Sequence, residues 1–183
     1  MSTLYISMLV GAVFIVALVV YVQGRLGKLR RAVHTNWLPV ERQLVRRHEI
    51  IRNIADAADP HISGNDPNAV DDVFSLLDTL AGELTVDQQV EFENRLSQAI
   101  RHLVHVGDGN YELRGDGKYW DMKRHLAEQD LLVTQAARFY NVSAKEYNEA
   151  VTAAPCALVA GPLGFGKQPY LATSVSESET PQR

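Results

Sequence analysis

The apolar positions divide the chain into one unbroken run followed by a series of stripes. Residues 4–22 (LYISMLVGAVFIVALVVYV) form a run of 19 with only Ser7 and Gly11 as interruptions. At about 1.5 Å rise per residue the run covers close to 30 Å, the thickness of a bilayer hydrocarbon core. From Leu26 the pattern turns helical, with Leu26, Leu29, Val33, Trp37, Val40, Leu44, Ile51, Ala55 and Ala58 on one stripe, interrupted at Arg47 and His48. Pro39 lies inside that stripe and predicts a kink, or a break between a membrane stem and a domain. The turn-forming stretch 59–68 (DPHISGNDPN) closes the helix, and Asp66 before Pro67 predicts an N-cap with proline at the first helical position. Val70, Val73, Leu77, Leu80 and Leu84 make a second stripe. Thr85 and Gln88 have capping-box spacing and open a third helix, with Phe92, Leu96, Ala99, Leu103 and Val106 as its buried face and Gly107 as its stop. Residues 107–118 (GDGNYELRGDGK) read as a glycine-rich loop. The last helix carries Tyr119, Met122, Leu126, Val133, Ala137, Tyr140, Ala144, Tyr147 and Val151, with Pro155 past its end.

No stretch alternates with the period of a strand, so the class is all-α. Four amphipathic helices with short connections predict an antiparallel bundle, a long outer pair with two shorter helices along it, behind a transmembrane helix. The implied organisation is an anchor over 1–24, a helical-bundle domain over 25–172, and a Ser/Glu-rich tail over 173–183 whose composition predicts disorder.

Charge gives this plan a direction. No residue from 1 to 24 is charged, whereas Arg25, Lys28, Arg30 and Arg31 crowd the C-terminal flank of the apolar run. The positive-inside rule then puts the N-terminus outside and the domain in the cytoplasm. A cleaved signal peptide fits less well, because no Lys or Arg precedes the run and no small-x-small site follows it. The four basic residues serve either topology alone or contact with anionic headgroups, which supplies about 1 kcal/mol per nearby basic residue. Residues 25–58 hold eight basic and three acidic residues although the whole chain is at −4, so the remainder is acidic. The single cysteine, Cys156, excludes an intramolecular disulfide and fits a reducing compartment.

Two segments carry a family resemblance. Residues 36–54 (NWLPVERQLVRRHEIIRNI) resemble the first-helix pattern of the LemA proteins, with Trp37, Glu41, Gln43, Leu44, Arg46, Arg47 and His48 at matching positions. Residues 137–171 resemble that family's C-terminal pattern through Tyr140-Asn141, Tyr147-Asn148, a proline and a closing Gly-Phe. Arg52, Asn110-Tyr111, Asp130 and Pro39 depart from the pattern. The resemblance implies a bacterial inner-membrane protein with a single-pass anchor and a cytoplasmic helical bundle. It implies no established enzymatic activity and no catalytic, cofactor or metal residues. A related branch occurs among magnetosome membrane proteins.

The residues themselves supply little chemistry. Residues 161–167 (GPLGFGK) match half of a phosphate-binding loop, but Gln168 stands where the magnesium-ligating Ser or Thr belongs. They read better as a turn that lets the chain fold back. His102 and His105 have two-ligand spacing without patterned carboxylates beside them, and Cys156 has no histidine partner in sight. Trp37, Tyr140 and Tyr147 read as core. One constellation crosses the long helices. If they are antiparallel, His48 and Asp130 fall ten and eleven residues from the same end. That places Arg47, with His48 as second donor, opposite Asp130 in a buried polar layer.

The expected function is therefore a membrane-anchored scaffold or interaction module without enzymatic activity, cofactor or nucleic-acid partner. Its partners would be the bilayer, unidentified proteins and, through the Ser7/Gly11 pair, a second copy. The alternative is a lipid-binding or membrane-shaping module working through the basic stem.

Overall fold

A computed structural model describes residues 2–64 and 66–172, with Ser2, Thr3, Leu4 and Ser7 described by backbone alone. The Ser7 side chain of the small-residue pair and the tail over 173–183 thus lie outside what is described. Among the described residues six helices follow one another: α1 (Ser2–Ile62), α2 (Pro67–Leu80), α3 (Val86–Gly109), α4 (Tyr111–Gly115), α5 (Gly117–Thr152) and α6 (Cys156–Val159). No strand occurs among the described residues. The class is all-α.

Local signals set most helix ends. Asp66 accepts from the Ala69 amide with Pro67 at the first position of α2. Thr85 and Gln88 form the reciprocal capping box that opens α3, satisfying two amide donors that a helix start leaves over. The expected break at Pro39 does not occur, because α1 runs through both Pro39 and Pro60. A proline removes one amide donor from the ladder, and here the buried Trp37 and Val40 hold the turns on either side. Three further expectations need correction. Leu84 lies beyond the end of α2. Gly107 does not stop α3, which continues to Gly109. Residues 107–118 are not a loop, because Asn110 accepts from the Glu112 and Leu113 amides and starts α4 inside them.

The described residues sort into two compact units. The first comprises Met1–Asn36 and Asn141–Gln168. Its buried side chains include Val22, Leu26 and Val33 from α1, with Ala144, Tyr147, Val151, Cys156 and Ala160. Past α6 the chain turns sharply, with the Phe165 amide donating to the Ala160 carbonyl at 2.9 Å and Gly164 at φ 75°. That left-handed conformation favours glycine. The turn brings Gln168 back to Asn148, whose side chain bonds both the Gln168 carbonyl (2.8 Å) and its amide (2.7 Å). Residues 161–167 are therefore a fold-back turn.

The second unit comprises Trp37–Tyr140 and the described chain from Pro169. Its core gathers Ile51, Ile54 and Ala58 of α1, Val73 and Leu77 of α2, Leu96 and Leu103 of α3, Leu113 of α4, and Tyr119 and Leu126 of α5. Contacts between α1 and α5 run in opposite order along the two helices, Trp37 meeting Tyr140 and Arg47 meeting Asp130. The buried face of α3 is centred on Val90, Glu93, Leu96, Ile100, Leu103 and Gly107. That is one position round from the expected Phe92, Ala99 and Val106, which only flank it. A carboxylate and a side-chain-free glycine occupy the centre, so an apolar count misplaces the face.

Candidate functional site

The densest polar constellation of the second unit is a layer of charged groups inside it. Arg47 sits on the inward stripe of α1 between Leu44 and Ile51, with a side chain only 6% exposed. Its Nε donates to Asp130 Oδ1 at 2.6 Å, one terminal nitrogen donates to Ser97 Oγ at 3.1 Å, and the other reaches Glu93 Oε2 at 3.5 Å. Glu93 is 2% exposed, far more buried than the 46% of Asp130. His48, expected as second donor to Asp130, bonds Glu93 instead. Beside the layer, Gln129 donates to the Gln43 carbonyl at 2.9 Å and to its side chain at 3.1 Å. Charges removed from water must be paired and hydrogen-bonded, and this layer meets that condition internally.

A second group of contacts fixes the end of the described chain. Trp37 is buried and donates to Gln89 Oε1 at 2.7 Å, while its ring meets the Tyr140 ring edge-on with centroids 5.1 Å apart. The Tyr140 hydroxyl donates to the Pro169 carbonyl at 2.8 Å. Burial first, and the Asp87 charge second, raise the Tyr140 pKa. Asn94 then takes the Tyr170 carbonyl (2.9 Å) and the Ala172 amide (2.7 Å), with Leu171 buried between them.

Between the layer and the far end of α3 the second unit holds a cavity of about 570 Å³. Arg47, Glu93 and Asp130 line one end, and Asp108 and Lys123, ion-paired, line the other. Ile100, Val104, Leu126 and Val133 form apolar walls, Leu171 and Ala172 close one side, and Arg101 and His105 stand at the exposed side. Close by, Tyr119 is fully buried and its hydroxyl has no hydrogen-bond partner among the described residues. Burial, and then the Asp108 charge, push its pKa up to about 12. A methyl group on Gly107 would collide with that hydroxyl.

The other residues marked by the sequence are placed as follows. Arg25, Lys28, Arg30 and Arg31 are exposed on α1 in the first unit, Arg25 donating to the Tyr21 hydroxyl at 3.4 Å. Of the resemblance residues, Trp37, Leu44, Arg47, Tyr140, Tyr147 and Asn148 are buried, Gln43 and Asn141 are half-buried and Arg46 is exposed. His102 bonds Asp66 at 3.1 Å, while His105 lines the cavity. Glu93, Ser97, Gln89 and Asn94 were not marked. The available signal for Glu93 was its position three residues from both Val90 and Leu96, inside the buried arc of α3.

Fold and site together define an all-helical protein with a buried ion layer and an N-terminal helix long and apolar enough to cross a membrane. The model of the LemA family matches residues 36–182, and the chain belongs to the LemA family. No curated protein matches the chain.

Proposed function

We propose that the protein is a single-pass, membrane-anchored interaction module without enzymatic activity. Its α1 begins outside the bacterial inner membrane, and residues 25–172 form an antiparallel four-helix bundle in the cytoplasm. The observation that carries this reading is the apolar surface of α1. Ile6, Met8, Leu9, Val13, Phe14 and Val16 are all exposed, and the most apolar window of the helix has a mean hydropathy of 2.1 with 11% of it buried. Isolated apolar side chains on a surface are ordinary; a contiguous run all round a helix requires lipid or another apolar cover. The exposed cations Arg25, Lys28, Arg30 and Arg31 support the orientation. Protease added to intact cells should leave the domain whole, with the protein retained in the membrane fraction at high pH. Digestion without lysis would reverse the orientation, and release into the supernatant would remove the anchor.

The charged groups of the ion layer bond one another, which supports binding and scaffolding over catalysis. Protein partners, including a second copy, fit this reading and nucleic acid does not. The same four cations favour a second reading, a module that engages lipid headgroups. It predicts vesicle capture that needs anionic lipid and weakens with salt.

A further inference from the structure

The cavity of the second unit has an unbalanced requirement for a ligand. Among its charged lining groups, Arg47, Glu93 and Asp130 are bonded within the ion layer, and Asp108 is bonded to Lys123. Arg101 and His105 line it too, one turn apart on α3, with no ion-pair partner among the described residues. Every carboxylate in the lining is thus answered, and the groups left over are basic.

Position matters as much as sign. Arg101 and His105 lie on the exposed side, whereas Arg47 is deep and already faces two carboxylates. An anion would lose little hydration at the first place and meet repulsion at the second. Between the two the walls are Ile100, Val104, Leu126 and Val133, and the buried Leu171 joins the lining. From Ser97 to Asp108 the groove spans eleven positions of α3, about 16 Å. From His105, beside which a bound head would lie, back to Ser97 there are eight of those positions, about 12 Å, room for roughly nine extended methylenes. The volume, about 570 Å³, falls within the range of roughly 300–1,000 Å³ usual for small-molecule sites.

We propose that this cavity binds a single-chain amphiphile with an anionic head. The head lies on Arg101 and His105, and the chain runs inward along Ile100, Val104 and Leu126 towards Leu171. The site is separate from the transmembrane and interaction role proposed above and does not depend on it.

The test uses full-length protein in native membranes, irradiated with a diazirine-bearing dodecanoate, with labelled peptides mapped by mass spectrometry. The apolar part of α1 serves as the reference, since a lipophilic probe labels it whatever the cavity does. The expected result is labelling of the α3 and α5 walls that unlabelled dodecanoate competes away and dodecanol does not. Arg101→Glu should lower wall labelling relative to the reference by about tenfold, the size of one charge-assisted contact. Ala127→Trp should lower it by filling the groove. Arg101 is exposed, so Arg101→Glu keeps the fold and carries the test alone if Ala127→Trp does not express. Equal labelling in Arg101→Glu, or equal competition by the alcohol, would overturn the proposal. So would wall labelling that arises only after deletion of residues 173–183, which would make the chain itself the occupant.

Discussion

Replacing Glu93 should cost more than replacing Asp130, although Asp130 makes the shorter bond to Arg47. The Asp130 side chain is 46% exposed and the Glu93 side chain 2%. After Asp130→Asn, the Arg47 guanidinium still faces Glu93, and water replaces part of what was lost. Screening by solvent holds such a half-exposed partner to about 1 kcal/mol. After Glu93→Gln, a buried guanidinium keeps Ser97 and a single anionic partner, the half-exposed Asp130, and His48 loses its anionic acceptor. Breaking a buried pair in this way costs about 3 kcal/mol or more. For a chain of this size each kcal/mol moves the melting temperature by roughly 2–4 °C. Far-UV circular dichroism of the full chain in micelles should then show a fall of about 10 °C for Glu93→Gln and about 3 °C for Asp130→Asn. Arg47→Met combined with Glu93→Leu should recover much of the loss, since it removes both deeply buried charges and leaves Asp130 half-exposed to water. An Asp130 effect equal to or larger than the Glu93 effect would refute the reasoning. A double variant as unstable as the sum of the single changes would do the same.

Three further outcomes are expected. Tyr140→Ala should cost about 3–5 kcal/mol by emptying a core site, whereas Tyr140→Phe should cost about 1 kcal/mol through the lost bond to Pro169; equal effects in urea unfolding would contradict the packing role. Tyr119→Phe should be neutral or stabilising by about 1 kcal/mol, because it removes a buried hydroxyl without a partner. It should also make Gly107→Ala better tolerated than it is beside the tyrosine, and a double-mutant cycle with no coupling would deny that contact. Stability should fall as pH rises from about 10 to about 12, because the raised folded-state pKa values of Tyr119 and Tyr140 mean the unfolded chain loses these protons first; Tyr119→Phe should make that fall shallower in a pH-dependent melt, with the remainder due to Tyr140.

What the sequence revealed was whatever it writes locally or periodically. Asp66 with Pro67, and Thr85 with Gln88, specify helix starts within four residues, so those ends were legible. Arg47 opposite Asp130 was legible too, because two interruptions in two regular stripes fall at one level. Glu93 was not, since a hydrophobic count assigns a carboxylate outward and its burial depends on a guanidinium from α1. The helix inside residues 107–118 was hidden by its glycines, and its start depends on Asn110, which also donates to the His61 carbonyl. The grips of Asn94 and Asn148 were illegible for a further reason. They hold backbone groups 20 to 78 residues away, and backbone carries no side-chain pattern.

That last distance bears on how the protein is made. Asn94 closes on Ala172, separated from it by 78 positions. At about 5–20 residues per second of synthesis, roughly 4–16 s pass between the appearance of the two. Early in that interval α1 and the start of α3 exist without α5, and the closing segment is missing until its end. Val133, Tyr140 and Leu171 have yet to cover their side of the second unit. The N-terminal apolar run, by contrast, emerges first and is ready for insertion at once. Under the proposed anchoring, biogenesis is ordered by the chain itself, with membrane delivery preceding completion of the domain and an unfinished helical surface waiting beside the ribosome. A nascent chain stalled before Ala172 should recruit holdase chaperones, and one released beyond it should shed them.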